Sequence, residues 1–140
     1  MNSAQVEFMM QFDRQCEEAL GMYERAFGAK RILLMRFAEA AAKDLPPKYD
    51  AACDKDLIFH AQMEIGGRRV MMCDNLFNDM PRGHSVYPVL TFKTDDEVRA
   101  AFGVLSEEAT IVSPLHSTTY SSCVGSLVDK FGIFWDLMVY

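Results

Sequence analysis

The order strand, helix, strand, hairpin occurs twice in this chain, and that repetition constrains the fold more than any single segment does. In the first pass, Val6–Phe12 is a short apolar run of strand formers. The stretch "DRQCEEALGMYERAFGAK" follows, with Ala19, Met22, Tyr23, Ala26 and Phe27 at helical spacing and Glu17, Glu18, Glu24 and Arg25 on the opposite face. Asp13 or Gln15 is the candidate cap, and Gly28 stands where a glycine ends a helix. Lys30–Phe37 reads as a strand. Leu57–Ile65 and Arg68–Asn75 flank Gly66-Gly67, a strong hairpin signal.

The second pass runs from "YPVLTFKT" through the helix "DDEVRAAFGVLSEE" to the strands "ATIVSPL", "SSCVGSLV" and "IFWDLMVY". Val98, Ala101, Phe102 and Leu105 share one helix face, and Thr94 or Asp95 caps the start. Phe12 aligns with Phe92, Ile32 with Ile111 and Gly67 with Gly132, at spacings of 80, 79 and 65 residues. The shortening falls on Ala38–Asp56, a long connecting segment halted by Pro46-Pro47. The expected class is α+β, with two βαβββ modules. Module one covers 5–76, a linker 77–86 and module two 87–140, in a single domain 1–140. One such module cannot bury its sheet face alone, so pairing within the chain or across a dimer is required.

Half of the 140 residues are hydrophobic, enough for one sizeable core. The net charge is -6 with no Lys/Arg cluster, which argues against nucleic acid as a partner. No apolar run reaches about 18 residues, so no membrane span is expected. The start "MNSAQVEF" lacks the basic and apolar regions of a signal peptide, so a cytoplasmic location is expected. Cys16, Cys53, Cys73 and Cys123 have no zinc-type spacing and read as reduced thiols, mostly buried small hydrophobes. Cys16 lies where a helix N-terminus lowers a thiol pKa. The ten methionines read as core filling or as an adaptable apolar pocket.

Three stretches carry a family resemblance: "FDRQCEEALGMYERAFGAKRILLMRF", "HAQMEIGGRRVMMCD" and "VDKFGIFW". In this order they resemble the PhnB-like branch of the glyoxalase/bleomycin-resistance/dioxygenase superfamily, also called the vicinal oxygen chelate superfamily. The Tyr23-to-Ala29 and Asp129-to-Trp135 motifs are specific in combination. The resemblance implies a curved eight-stranded mixed sheet around a cleft, a homodimer, and a small organic molecule as partner. It also implies a divalent metal held by His, Glu or Gln on the first and last strands of each module, acting as a Lewis acid. No other cofactor is expected.

The ligand positions are only partly kept. Asp136 falls where the superfamily's metalloenzymes have Glu, and period-2 alternation puts it on a face with Phe134, Met138 and Tyr140. Its counterpart in module one is Met71, a poor ligand for hard cations. The first strand of module two offers Val89, and that of module one offers Glu7 or Met9. No metal ligand set is therefore assigned, and the divalent metal stays open. Asp136 reads as the remnant of a metal site, a reused polar anchor, or an exposed edge residue. His60 is the candidate catalytic acid or base, the alternative being a histidine bonded within the sheet. Asp136 and Glu7 are candidate ligand-binding residues, with Tyr120, Trp135 and Met71 as apolar walls. Tyr120 takes a place where this branch commonly has Trp.

The first functional expectation is a small-molecule-binding protein with a degenerate metal site. The alternatives are a metal-dependent glyoxalase, lyase or dioxygenase with a rearranged set (His60, Glu7, Asp136), and a drug-sequestering protein that binds without turnover. Whether the chain is an enzyme is left open. No glycine-rich loop of a methyl-donor fold is present, so the demethylubiquinone methyltransferase label given to such sequences gains no support from these residues.

Overall fold

A computed structural model describes residues 3–77 and 79–140. Among these, the elements run β1 (Phe8–Asp13), α1 (Cys16–Phe27), β2 (Lys30–Arg36), α2 (Ala51–Asp54), β3 (Ile58–Ile65) and β4 (Arg68–Asn75), with two short 3-10 turns between β2 and α2. They continue as β5 (Val89–Phe92), α3 (Asp95–Leu105), β6 (Thr110–His116), β7 (Val124–Val128) and β8 (Phe134–Val139). The eight strands form two four-stranded sheets, β1-β4-β3-β2 and β5-β8-β7-β6. In each, the first strand lies parallel to the last and the others pair antiparallel.

The repeat holds down to the register. Met9 sits opposite Met71 and Val89 opposite Asp136. Gln62 pairs with Met71 as Ser126 pairs with Asp136. Even the irregularity recurs: the ladder skips between Arg31 and Leu33 in β2 and between Ile111 and Ser113 in β6. Ile32 therefore corresponds to Val112, one residue beyond the Ile111 that eye alignment selects. An extra residue in a strand leaves no trace in hydrophobic spacing, so only pairing reveals it.

By compactness the chain divides into Met1–Gly21 with Ala29–Met80, and Met22–Gly28 with Pro81–Tyr140. The division passes through α1. In the first unit, Met10, Phe12, Ala61, Met63, Val70 and Met72 are buried on one sheet face. The cap of α1 comes from neither Asp13 nor Gln15. Asp74, on β4, accepts hydrogen bonds from the backbone N–H groups of Cys16 (2.8 Å) and Ile58 (2.9 Å). A carboxylate distant in sequence thus satisfies one orphan donor at the helix start and ties the start of β3 to it. The segment after β2 folds back on itself: Phe37 stacks with Tyr49 and meets Phe59 edge-on, and Arg14 reaches Asp54 at 2.5 Å.

In the second unit, Thr94, one of the two candidate caps, caps α3 by accepting from Glu97 N–H. Val98, Ala101, Phe102 and Leu105 are the buried helix face, and Leu127, Trp135 and Leu137 the buried sheet face. Asp129 joins the pieces. Its Oδ2 accepts from Tyr23 Oη (2.6 Å) and Trp135 Nε1 (2.9 Å). Its Oδ1 accepts from the N–H groups of Phe131 (2.9 Å) and Ile133 (3.0 Å). Tyr23 and Phe27 pack their rings on Trp135 at 5.2 and 4.9 Å. The two specific motifs of the sequence thus form one buried clamp.

Candidate functional site

Each sheet has one buried and one half-exposed face. The polar chemistry lies on the half-exposed faces, because alternation sends every second residue there. On sheet one, the row Met9, Met71, Gln62, Leu33 crosses all four strands. His60 lies on the same face, opposite Met35 on β2. Gln62 Nε2 stands 3.2 Å from His60 Nε2. This is the kind of local bond that holds a histidine in a sheet. Glu7 is not a free carboxylate: Arg69 grips it through Nη2 and through Nε at 3.0 Å. The pairing raises the Arg69 pKa.

On sheet two, the equivalent row is Val89, Asp136, Ser126, Ser113. Asp136 is half-buried, and burial alone pushes its carboxyl pKa up. Among the described residues no donor reaches its side chain. Phe134 and Met138 flank it on the same strand face. The backbone N–H of Asp136 donates to Pro88 O at 3.2 Å, which brings the linker end alongside β8. There Tyr87 lies against Phe134 with ring centroids 4.5 Å apart, and His84 reaches the same ring at 5.4 Å. Arg82 completes the strap by donating to Phe131 O at 3.1 Å.

Several expected site residues lie elsewhere. Trp135 is 1% exposed and points to the buried face, opposite to Asp136, with its indole N–H bound to Asp129. It forms no wall of the half-exposed face. Tyr120 is 64% exposed in the connection between β6 and β7. Cys16 is buried, and burial followed by the Asp74 charge raises its thiol pKa rather than lowering it. Its thiol is a core group, as is that of Cys123. Cys73 is half-buried on the His60 face, and burial raises its pKa as well. Tyr87 went unnoticed in the sequence. The signal was there in principle: the parallel pairing of Val89 with Asp136 places Tyr87 beside Phe134.

Residues 4–138 match the family described as 3-demethylubiquinone-9 3-methyltransferase. The chain belongs to this family. It is the PhnB-like branch of the vicinal oxygen chelate superfamily. Protein YjdN of Escherichia coli K12 is 27% identical over 138 residues, covering 93% of this chain and 91% of that protein. A Bacillus cereus structure described as a putative 3-demethylubiquinone-9 3-methyltransferase, PhnB protein, superposes with a TM-score of 0.80 at 21% identity, over 98% of this chain and all of that one. The fosfomycin resistance protein FosX of Listeria monocytogenes superposes with a TM-score of 0.66 at 8% identity, over 100% of this chain and 95% of that one. The PhnB-like and FosX structures share the glyoxalase-type fold with this chain.

For a PhnB-like chain, the superfamily's metal becomes a question of donors. Register identifies the first- and last-strand positions as Met9 with Met71 and Val89 with Asp136. Only Asp136 offers an oxygen. Glu7 lies two residues from Met9 and is engaged by Arg69. Among the described residues no group of three or more His, Cys, Asp or Glu side chains is placed to hold a metal ion. A hard divalent cation needs about three or more such donors, so these residues do not fit it. The turns that lead into α1 and α3, Arg14-Gln15 and Lys93-Thr94, also contain no glycine. Among the described residues no helix is long and apolar enough to cross a membrane.

Proposed function

We propose that this PhnB-like protein binds a small organic molecule on the half-exposed sheet faces, without chelation through a resident divalent metal. One observation carries the reading: Asp136 is a half-buried carboxylate that no side-chain donor reaches among the described residues, on a face it shares with Phe134, Met138, Val89 and Ser126. A carboxylate held partly out of water with no protein donor gains from a ligand that brings a hydrogen bond or an opposite charge. On sheet one, Met71 and Met9 supply adaptable apolar contact and His60 a polar one. The protein acts in the cytoplasm, in keeping with four free cysteines.

The test is a fragment screen followed by ligand-observed NMR on protein purified without chelators. Binding that perturbs Phe134 and Met138 and is lost in Asp136→Ala supports the reading. Stoichiometric zinc, nickel, manganese or iron that Asp136→Ala removes would replace it with a metal-dependent one. Turnover of a bound compound would separate an enzyme from a sequestering protein.

The proposal includes a homodimer. Edge strands β2 and β6 expose Ile32, Leu33, Ile111 and Val112, and exposed apolar edges favour association. Sedimentation equilibrium at micromolar concentration checks it, and a monomer mass would exclude it.

A further inference from the structure

The half-exposed face of sheet two is not chemically neutral. Phe134 and Asp136 are two apart on β8, so both project from the same face. Tyr87 stands beside Phe134 at 4.5 Å between ring centroids, tilted by 48°, with part of each ring accessible. The pair lies on the same side as a carboxylate that no side-chain donor reaches among the described residues. The arginines of this unit are used elsewhere: Arg25 pairs with Glu107, Arg82 binds Phe131 O, and Arg99 pairs with Asp95 and Asp96. On the corresponding face of sheet one, the carboxylate Glu7 already has Arg69.

We propose that this face selects an organic ammonium ion, held between the Asp136 carboxylate and the Tyr87–Phe134 ring pair. The proposal rests on the small-molecule reading above and names the ligand class. An anion would meet the carboxylate's repulsion in a partly desolvated setting. A neutral molecule would cover the carboxylate without compensating it. A cation gains twice, from the opposite charge and from the ring quadrupoles. Substituted ammonium groups fit best, since their methyl or methylene shell suits Met138 and Val89 as well as the rings. The small side chain of Ser126 next to Asp136 leaves the carboxylate approachable from the β7 side.

The test compares choline with 3,3-dimethylbutan-1-ol, its uncharged carbon isostere, by NMR titration of the full chain. The expected result is saturable shifts at Phe134, Asp136 and Met138, with choline at least tenfold tighter than the alcohol and weakened by added salt. Asp136→Asn should lose tenfold or more, and Phe134→Leu severalfold. Glu107→Gln, a surface acid paired with Arg25, should change nothing. Near-ultraviolet circular dichroism of each variant establishes that it is folded. Equal affinity for choline and alcohol, or full choline binding by folded Asp136→Asn, overturns the proposal. Tighter binding of manganese(II) at this face, excluding choline, overturns it too. If the alcohol shifts these residues as strongly as choline, only the ligand class fails. If neither probe nor any fragment of the screen shifts them, the small-molecule reading fails with it.

Discussion

The hairpin of module one turns on Gly66 and Gly67, both at positive φ (58° and 79°). That is the two-residue turn whose twist matches the flanking strands. The equivalent hairpin of module two has five residues between the paired ends Val128 and Phe134, with only Gly132 positive at 90°. It is held by Asp129, whose Oδ1 accepts two turn N–H groups. Register makes Ile65 the counterpart of Asp129. One module thus fixes its turn by backbone freedom and buries a hydrophobe there. The other fixes it with a carboxylate that also ties in Tyr23 and Trp135. The comparison teaches that the specific Asp129-to-Trp135 motif is structural at its first residue, whereas Asp136, just beyond it, has no side-chain donor among the described residues.

The largest expected consequence is at this pair. Asp129→Asn sets an amide against donors that now meet oxygen, and should cost about 3 kcal/mol. Ile65→Val should cost about 1 kcal/mol. Urea unfolding measures both, and equal losses would dissolve the distinction. Next come the turn glycines. Gly132→Ala and Gly67→Ala each force a side chain into left-handed backbone, at about 1–2 kcal/mol. Gly132→Ala should be the costlier, because its Cβ would meet Arg82 Nη1 whereas nothing lies near Gly67. The reverse ranking would show that the Arg82 strap contributes nothing.

A smaller effect is expected after the helices. Gly28 follows α1 at φ 62°, and Glu108 takes φ 57° after α3. Glu108→Gly should therefore stabilise by about 0.5–1 kcal/mol and Gly28→Ala should destabilise by about 1 kcal/mol. The surface pair of Glu108 with Lys130 at 3.4 Å adds little to offset this. Thermal midpoints moving in the same direction would contradict the strain argument.

The smallest contrast is in pH. The Asp50 backbone amide, then Arg14, holds the Asp54 carboxyl below its usual range. Stability from ionised Asp54 is in place above the unfolded-state pKa of about 3.9 and is lost as pH falls through the lower folded value. Burial raises Asp136, so the sign reverses. Its contribution is in place below the unfolded-state pKa and is lost as pH rises through the raised folded value. Asp54→Asn should flatten the acid limb of a urea-midpoint profile. Asp136→Asn should raise the midpoint at neutral pH and change little in strong acid. An effect of both on the same limb would count against these assignments.

Much of this was legible in the spacing of residues. The two modules, the Gly66-Gly67 hairpin, the Thr94 cap and the face shared by Phe134, Asp136 and Met138 all follow from local periodicity and turn chemistry. The partnerships did not. Glu7 looked available because its cation, Arg69, comes from a strand far along the chain. Trp135 looked like a wall although alternation already put it on the face opposite Asp136; what the sequence lacked was its N–H partner, Asp129. Cys16 is the buried thiol that its composition class suggested, and burial outweighs the helix N-terminus beside it.

The sequence alone determined the order of elements, the repeat and the face each strand residue takes, since these depend on φ/ψ preference and alternation over a few residues. The tertiary structure decided which carboxylates are spent. Asp74 went to the start of α1, Asp129 to Tyr23 and Trp135 and Glu7 to Arg69, while Asp136 meets no side-chain donor among the described residues. Those assignments depend on donors that only chain folding brings within hydrogen-bond reach, and on water that only packing removes.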